Sequence, residues 1–274
     1  MRSRDRQVVA WRSWVAAYPE APPWDPGESY PERVAGGADQ LPNLVYGGVR
    51  ECFRMAGLDL PRYGTPHWNP LGDLIAPGET VLLKPNWVKA EHPRLERAGQ
   101  ADAWNCLVTH PSVVRAVADY CFRAVGVAGR VIVADAPQTD SSWSLLESRL
   151  ELGDLRRHYA ALGLNFELID LRREEWSVKD GVVTARRTLP GDPRGYVAVD
   201  LKTESEFHCH PGEGRYYGAD YDDREVNRHH SEGRHEYLLA RSALAADVVF
   251  SLPKLKTHKK TGLTAGLKNL VGVN

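Results

Sequence analysis

The residues able to do chemistry concentrate in one stretch of this chain. From Ser251 to Asn274 there are five lysines, Lys254, Lys256, Lys259, Lys260 and Lys268, and not one acid. Thr261, Gly262, Thr264 and Gly266 lie among them. Glycines let backbone amides approach an anion closely, and a following helix would turn its positive end toward it. That pattern predicts a phosphate or carboxylate held by Lys254, Lys256, Thr261, Gly262, Thr264, Lys268 and Asn269. The competing explanation is a solvated lysine face; Pro253 and the glycine and threonine spacing argue against it. No G-x-x-x-x-G-K-[ST] string occurs, so the stretch is not a P-loop.

Three side chains are candidates for moving a proton. His258 stands among lysines, where like-charge repulsion favours the neutral ring, and it is the preferred acid/base. His110 sits between Thr109 and Pro111 at an expected helix start, either as a proton donor or simply as part of a capping sequence with Thr109 as N-cap. Asp135, with Asp140 nearby, could orient a base, bind a metal or pair Lys84. A second polar group, His208, Cys209, His210, His229 and His230 with Asp220, Asp222 and Asp223, includes the H-x-H spacing that metal sites use. Its hydrophilic surroundings favour an ordinary histidine-rich loop, and no metal site is predicted.

Composition bounds what these residues serve. With 35 Lys plus Arg against 36 Asp plus Glu in 274 residues, the net charge is -1, so any charge-based function must be local. Aromatics that would stack bases are missing from Ser251 to Asn274 and no nucleic-acid-binding motif occurs, which argues against a nucleic-acid partner. Apolar runs fall far short of the roughly 20 residues that span a bilayer, so no membrane partner is expected. Arg12 interrupts the only apolar stretch of the N-terminus, which reads as mature and cytoplasmic. Cys52, Cys106, Cys121 and Cys209 form no C-x-x-C pair, and no intrinsic iron-sulfur cluster is expected.

The elements that must position these groups follow from periodicity. Residues 1–40 read as an arm or linker, and 41–274 as one α/β domain with a polar insertion at about 203–236. A helix is expected from Leu44 to Ala56, ending at Gly57, with others at Pro111–Val125, Leu145–Leu162 and Tyr237–Ala245. Strands are expected at Thr80–Leu83, Arg130–Asp135, Phe166–Leu171 and Val248–Leu252. Strands separated by helix-length segments need crossovers, so the fold class is α/β, a mostly parallel open sheet with flanking helices. Ser177–Arg187 reads as an antiparallel hairpin turning at Asp180-Gly181, with a further strand at Tyr196–Leu201. Lys89–Asn105 and Thr203–Glu236 are long polar loops. In such a sheet the ligand crevice lies beyond the carboxyl ends of the strands. Four exits then meet at one rim: Lys84-Pro85-Asn86-Trp87, Asp135-Ala136-Pro137-Gln138-Thr139-Asp140, Asp170-Leu171-Arg172-Arg173 and Pro253-Lys254-Leu255-Lys256-Thr257-His258.

Four blocks, VLLKPNWV at Val81, THPSVVRAV at Thr109, VIVADAP at Val131 and VVFSLPKLKTHKKTGLTAGLKNLVG at Val248, together resemble the domain of unknown function family 362 (DUF362). The resemblance runs over about Thr80 to Asn274. It implies that Lys84, Asn86, His110, Asp135 and the Lys254, Lys256, His258, Thr261, Gly262, Thr264, Lys268, Asn269 cluster share one site. The family has no agreed activity; some members carry ferredoxin-like cysteine motifs, which this sequence lacks. Members usually continue beyond the position of Asn274, so the resemblance implies part of a longer domain. A more remote likeness to the nickel-pincer lactate racemases is one of architecture only.

The favoured expectation is an enzyme that transfers a proton on a small anionic metabolite, phosphorylated or carboxylated. A redox accessory working with an iron-sulfur protein partner and a non-catalytic anion-binding module are the alternatives.

Overall fold

The computed structural model describes residues 8–15, 17–33, 43–218, 221–258 and 262–273. In chain order the first elements are α1 (Leu44–Met55), β1 (Thr80–Pro85), α2 (Pro93–Arg97), α3 (Pro111–Val125) and β2 (Arg130–Asp135). Then come α4 (Trp143–Arg149), α5 (Leu152–Ala161), β3 (Asn165–Asp170), β4 (Glu174–Lys179), β5 (Val182–Thr188) and β6 (Tyr196–Asp200). The last are α6 (Asp223–His229), β7 (Glu236–Ala240), α7 (Arg241–Leu244), β8 (Val248–Leu252), β9 (Lys256–His258), β10 (Gly262–Thr264) and α8 (Gly266–Asn269).

The central sheet has the order β3-β2-β1-β8, every pair parallel. Alternation along its strands separates two faces. Val81, Leu83, Val131 and Val133 enter the main core with Val114, Tyr120, Leu155 and Tyr159 from α3 and α5. Leu82, Ile132, Ala134 and Ile169 face the other way, against Ala240, Tyr196 and Ala243. Both faces are covered, which is why β1 and β2 read as unbroken apolar runs.

The mixed α/β architecture agrees with the pattern expected from sequence, and β4 and β5 pair around Asp180-Gly181 as anticipated. Two expected elements differ, and the two polar stretches expected as loops carry the short helices α2 and α6. The helix expected at Tyr237–Ala245 is instead β7, paired antiparallel with β6 from Tyr196↔Ala240 to Asp200↔Glu236, followed by one short turn of α7. Pairing with Val197 and Val199 overrides the local helical spacing of Tyr237, Leu238 and Leu239. The single helix expected at Leu145–Leu162 is two, because Glu151 adopts a left-handed backbone (φ 47, ψ 38) between α4 and α5.

The described part of the N-terminal arm packs into the domain. Trp24 is 2% exposed and belongs to the main core. Asp25 accepts from the wholly buried Arg115 at 2.8 Å, and Glu32 pairs with Arg50 at 2.6 Å. Among the described residues no helix is long and apolar enough to cross a membrane.

Candidate functional site

The carboxyl ends of β1, β2, β3 and β8 open into a cleft of about 730 Å³. Its floor is an ion pair between β1 and β2. Lys84 Nζ donates to Asp135 Oδ1 at 2.5 Å and to Pro85 O at 2.8 Å, with the lysine 1% and the aspartate 3% exposed. Asp135 also accepts from Trp87 N at 2.5 Å and Ala136 N at 2.7 Å. Burial pushes the Lys84 pKa down and the Asp135 pKa up, while their mutual attraction and the amide donors oppose both shifts. Of the three roles open to Asp135 in the sequence, its contacts are those of a partner for Lys84. Asp140 pairs with Lys89.

Asn269 closes the floor from α8. Its Nδ2 donates to Lys84 O at 2.7 Å and to Ser251 Oγ at 3.1 Å, while Oδ1 accepts from Asn86 Nδ2 at 3.2 Å. Thr109 fastens two exits together: its hydroxyl donates to Leu252 O at 2.6 Å and accepts from Asn86 N at 3.0 Å. It is therefore not the N-cap of α3 expected from sequence; His110 is, accepting from Ser112 N through Nδ1 at 3.2 Å. Gly272 lies so close to the ion pair that a Cβ there would be 2.3 Å from Asp135 Oδ1.

Three lysines line the cleft above this floor, and their described hydrogen bonds go to neutral acceptors. Lys254 Nζ donates to Tyr18 OH at 2.9 Å. Lys256 Nζ donates to Asn86 Oδ1 and to Leu107 O, the latter at 2.9 Å. Lys268 Nζ meets His258 Nε2; an ammonium only donates, so Nε2 accepts and the ring proton belongs on Nδ1. Burial is the main cause that lowers Lys256 to about 8, with Lys268 and Lys254 adding repulsion against the pull of Asp135.

Lys84, Asn86, Asp135, Lys254, Lys256, His258, Thr264, Lys268 and Asn269 thus border one cleft. Two expected residues, His110 and Gly262, do not. His110 is not among the lining side chains: Tyr18 stacks on its ring at 4.2 Å with the planes 2° apart, and Trp24 meets it edge-on at 5.9 Å. Burial, then repulsion from Lys254, lowers His110 to about 4. Gly262, in a left-handed conformation (φ 72), starts β10 away from the lining. Thr261 lies outside the described residues, as do Lys259, Lys260 and Asp220. The helix expected after the glycines spans only Gly266–Asn269, because the preceding residues pair as the β9–β10 hairpin. It is too short to supply a useful dipole.

Sequence reasoning missed Tyr18, Ser251 and Gly272, and the lining groups Tyr196 and Tyr221. Ser251 was legible in principle, as the last strand residue before Leu252-Pro253. Tyr18 was not, since its place depends on how the arm folds back. In the second polar group, among the described residues, no three metal-ligating side chains gather at one point.

The fold and cleft define a parallel α/β protein with a basic crevice at the carboxyl edge of its sheet. Residues 211–274 match the family model described as Domain of unknown function (DUF362), in agreement with the resemblance carried by the final sequence block. The model reaches back to residue 211 and not to Thr80. The chain is also 25% identical over 202 residues to a thylakoid-associated protein of Synechocystis sp., a match covering 74% of this chain and 41% of that relative. No solved structure matches it.

Proposed function

We propose that the cleft binds a small anionic metabolite, phosphorylated or carboxylated, and that the protein is an enzyme moving a proton on it. One observation carries this reading: Lys254, Lys256 and Lys268 converge on a cleft at the carboxyl edge of the sheet while donating to a phenol, an amide, a carbonyl and an imidazole rather than to acids. The charge of Lys254 and Lys268 is available to an anion. Of the carboxylates lining the cleft, Asp135 pairs with Lys84, Asp140 with Lys89, and Glu174 accepts from Trp176 Nε1.

Within this arrangement Lys254 and Lys268 clamp the anion, and the Lys84–Asp135 pair with Asn86 and Asn269 shapes the floor. His258 transfers the proton. Its Nε2 already accepts from Lys268, so a substrate anion that draws Lys268 away would leave that lone pair ready to take a proton. His110, capped by Tyr18, is given no proton-transfer role. We place the protein in the cytoplasm, a reading that membrane fractionation tests directly.

Calorimetric titration with inorganic phosphate and small carboxylates tests the clamp. Lys254→Met and Lys268→Met should each weaken binding by about 1 to 3 kcal/mol, roughly 5- to 150-fold. His258→Ala should reduce turnover of a metabolite panel, followed by NMR, more than it reduces binding. Full affinity in both lysine variants would sink the reading.

A further inference from the structure

The reading of the cleft as an anion site, on which this inference rests, does not account for Lys256. Lys254 and Lys268 each meet one described side-chain partner, whereas Lys256 Nζ is fixed by two acceptors, Asn86 Oδ1 and Leu107 O. A neutral amine has two N–H bonds and one lone pair. With both N–H groups donated, the lone pair takes a remaining tetrahedral direction, away from those acceptors. Lys256 also borders the cleft, with Lys254, Lys268 and His258 on the same lining.

The electrostatic setting agrees with this geometry. With Lys256 lowered to about 8, roughly a tenth of it is unprotonated at pH 7, against fewer than about one in a thousand for an ordinary lysine. Desolvation together with cationic neighbours is how amine nucleophiles are activated toward carbonyl groups.

We propose that Lys256 is an imine-forming nucleophile and that the cleft takes a small carbonyl compound bearing a carboxylate or phosphate. The Nζ lone pair bonds to the carbonyl carbon, and the carbonyl π electrons move to oxygen. The resulting carbinolamine loses its C–O bond, and the two amine hydrogens leave with that oxygen as water. Amine plus carbonyl gives imine plus water, with no oxidant or reductant. Lys254 and Lys268 hold the anionic group, and His258, hydrogen-bonded to Lys268, serves proton movement at the departing hydroxyl. Asn86 orients the amine through its Oδ1.

Reductive trapping tests the step. The full chain is incubated with pyruvate or dihydroxyacetone phosphate, reduced with sodium borohydride, and mapped by peptide mass spectrometry. The expected result is a reduced adduct on Lys256, with initial trapping about fivefold faster at pH 8 than at pH 7 as the neutral amine fraction rises. Mapping the unmodified protein needs no variant to fold; Lys256→Arg, checked by circular dichroism, should lose the adduct. Binding of the same two compounds is measured calorimetrically without borohydride. Binding without an adduct, or adducts confined to Lys254 or Lys268, overturns the imine and leaves the anion site standing. If neither compound binds nor traps, both readings fall.

Discussion

Gly272 has no room for a side chain. A Cβ there would lie 2.3 Å from Asp135 Oδ1 and 2.7 Å from Lys84 Nζ, and Asp135 cannot step aside because Lys84, Trp87 N and Ala136 N all hold it. Gly272→Ala should cost about 1 to 3 kcal/mol by overpacking, read as a lower urea midpoint with unchanged slope. His110 supplies a pH test. Its folded pKa of about 4 lies below the ordinary 6.5, so the unfolded chain takes up the proton first. Its contribution is full above about 6.5 and is lost as the pH falls toward 4. Urea denaturation at pH 7 and pH 4.5 should show a smaller acid-induced loss in His110→Asn than in the parent; equal losses would refute the linkage.

At the scale of elements, the strands are held at their exits by side chains rather than by the ladder alone. Thr109 joins the segment before α3 to the exits of β1 and β8. Thr109→Val keeps the shape but removes two hydrogen bonds around the 3% exposed Thr109. A loss of about 1 to 3 kcal/mol is expected, together with weaker anion binding, because Lys254 and Lys256 follow directly from β8. Glu151 is the weak point between α4 and α5. A left-handed backbone costs an L-residue about 1 to 2 kcal/mol that glycine avoids, so Glu151→Gly should raise the melting temperature. A fall would show that the side chain, and not the backbone, governs this break. The same residue explains why the sequence read as one helix: Leu145, Leu152, Leu155 and Tyr159 keep helical spacing across the break, and nothing in an ordinary glutamate announces a positive φ.

Across the whole molecule, the arm belongs to the folded body. Trp24 lies in the main core and Asp25 reaches the buried Arg115, so Trp24→Ala should cost about 3 to 5 kcal/mol, measured by calorimetric unfolding. A change below 1 kcal/mol would mean that the arm only rests on the surface. Tyr18 extends that dependence to the cleft, since it both accepts from Lys254 and covers His110.

Periodicity by itself determined the parallel strands, the helix at Pro111–Val125 and the rim on which Lys84, Asp135, Lys254 and Lys256 emerge, because burial on two faces forces unbroken apolar strands and proline turns the chain out at their ends. The tertiary structure alone decided which of those groups meet. It paired Lys84 with Asp135, set Lys268 against His258, withdrew His110 beneath Tyr18 and made Glu236–Ala240 a strand. Each of these depends on a partner from a distant segment, and a hydrogen bond across such a distance leaves no trace in the local spacing of either residue.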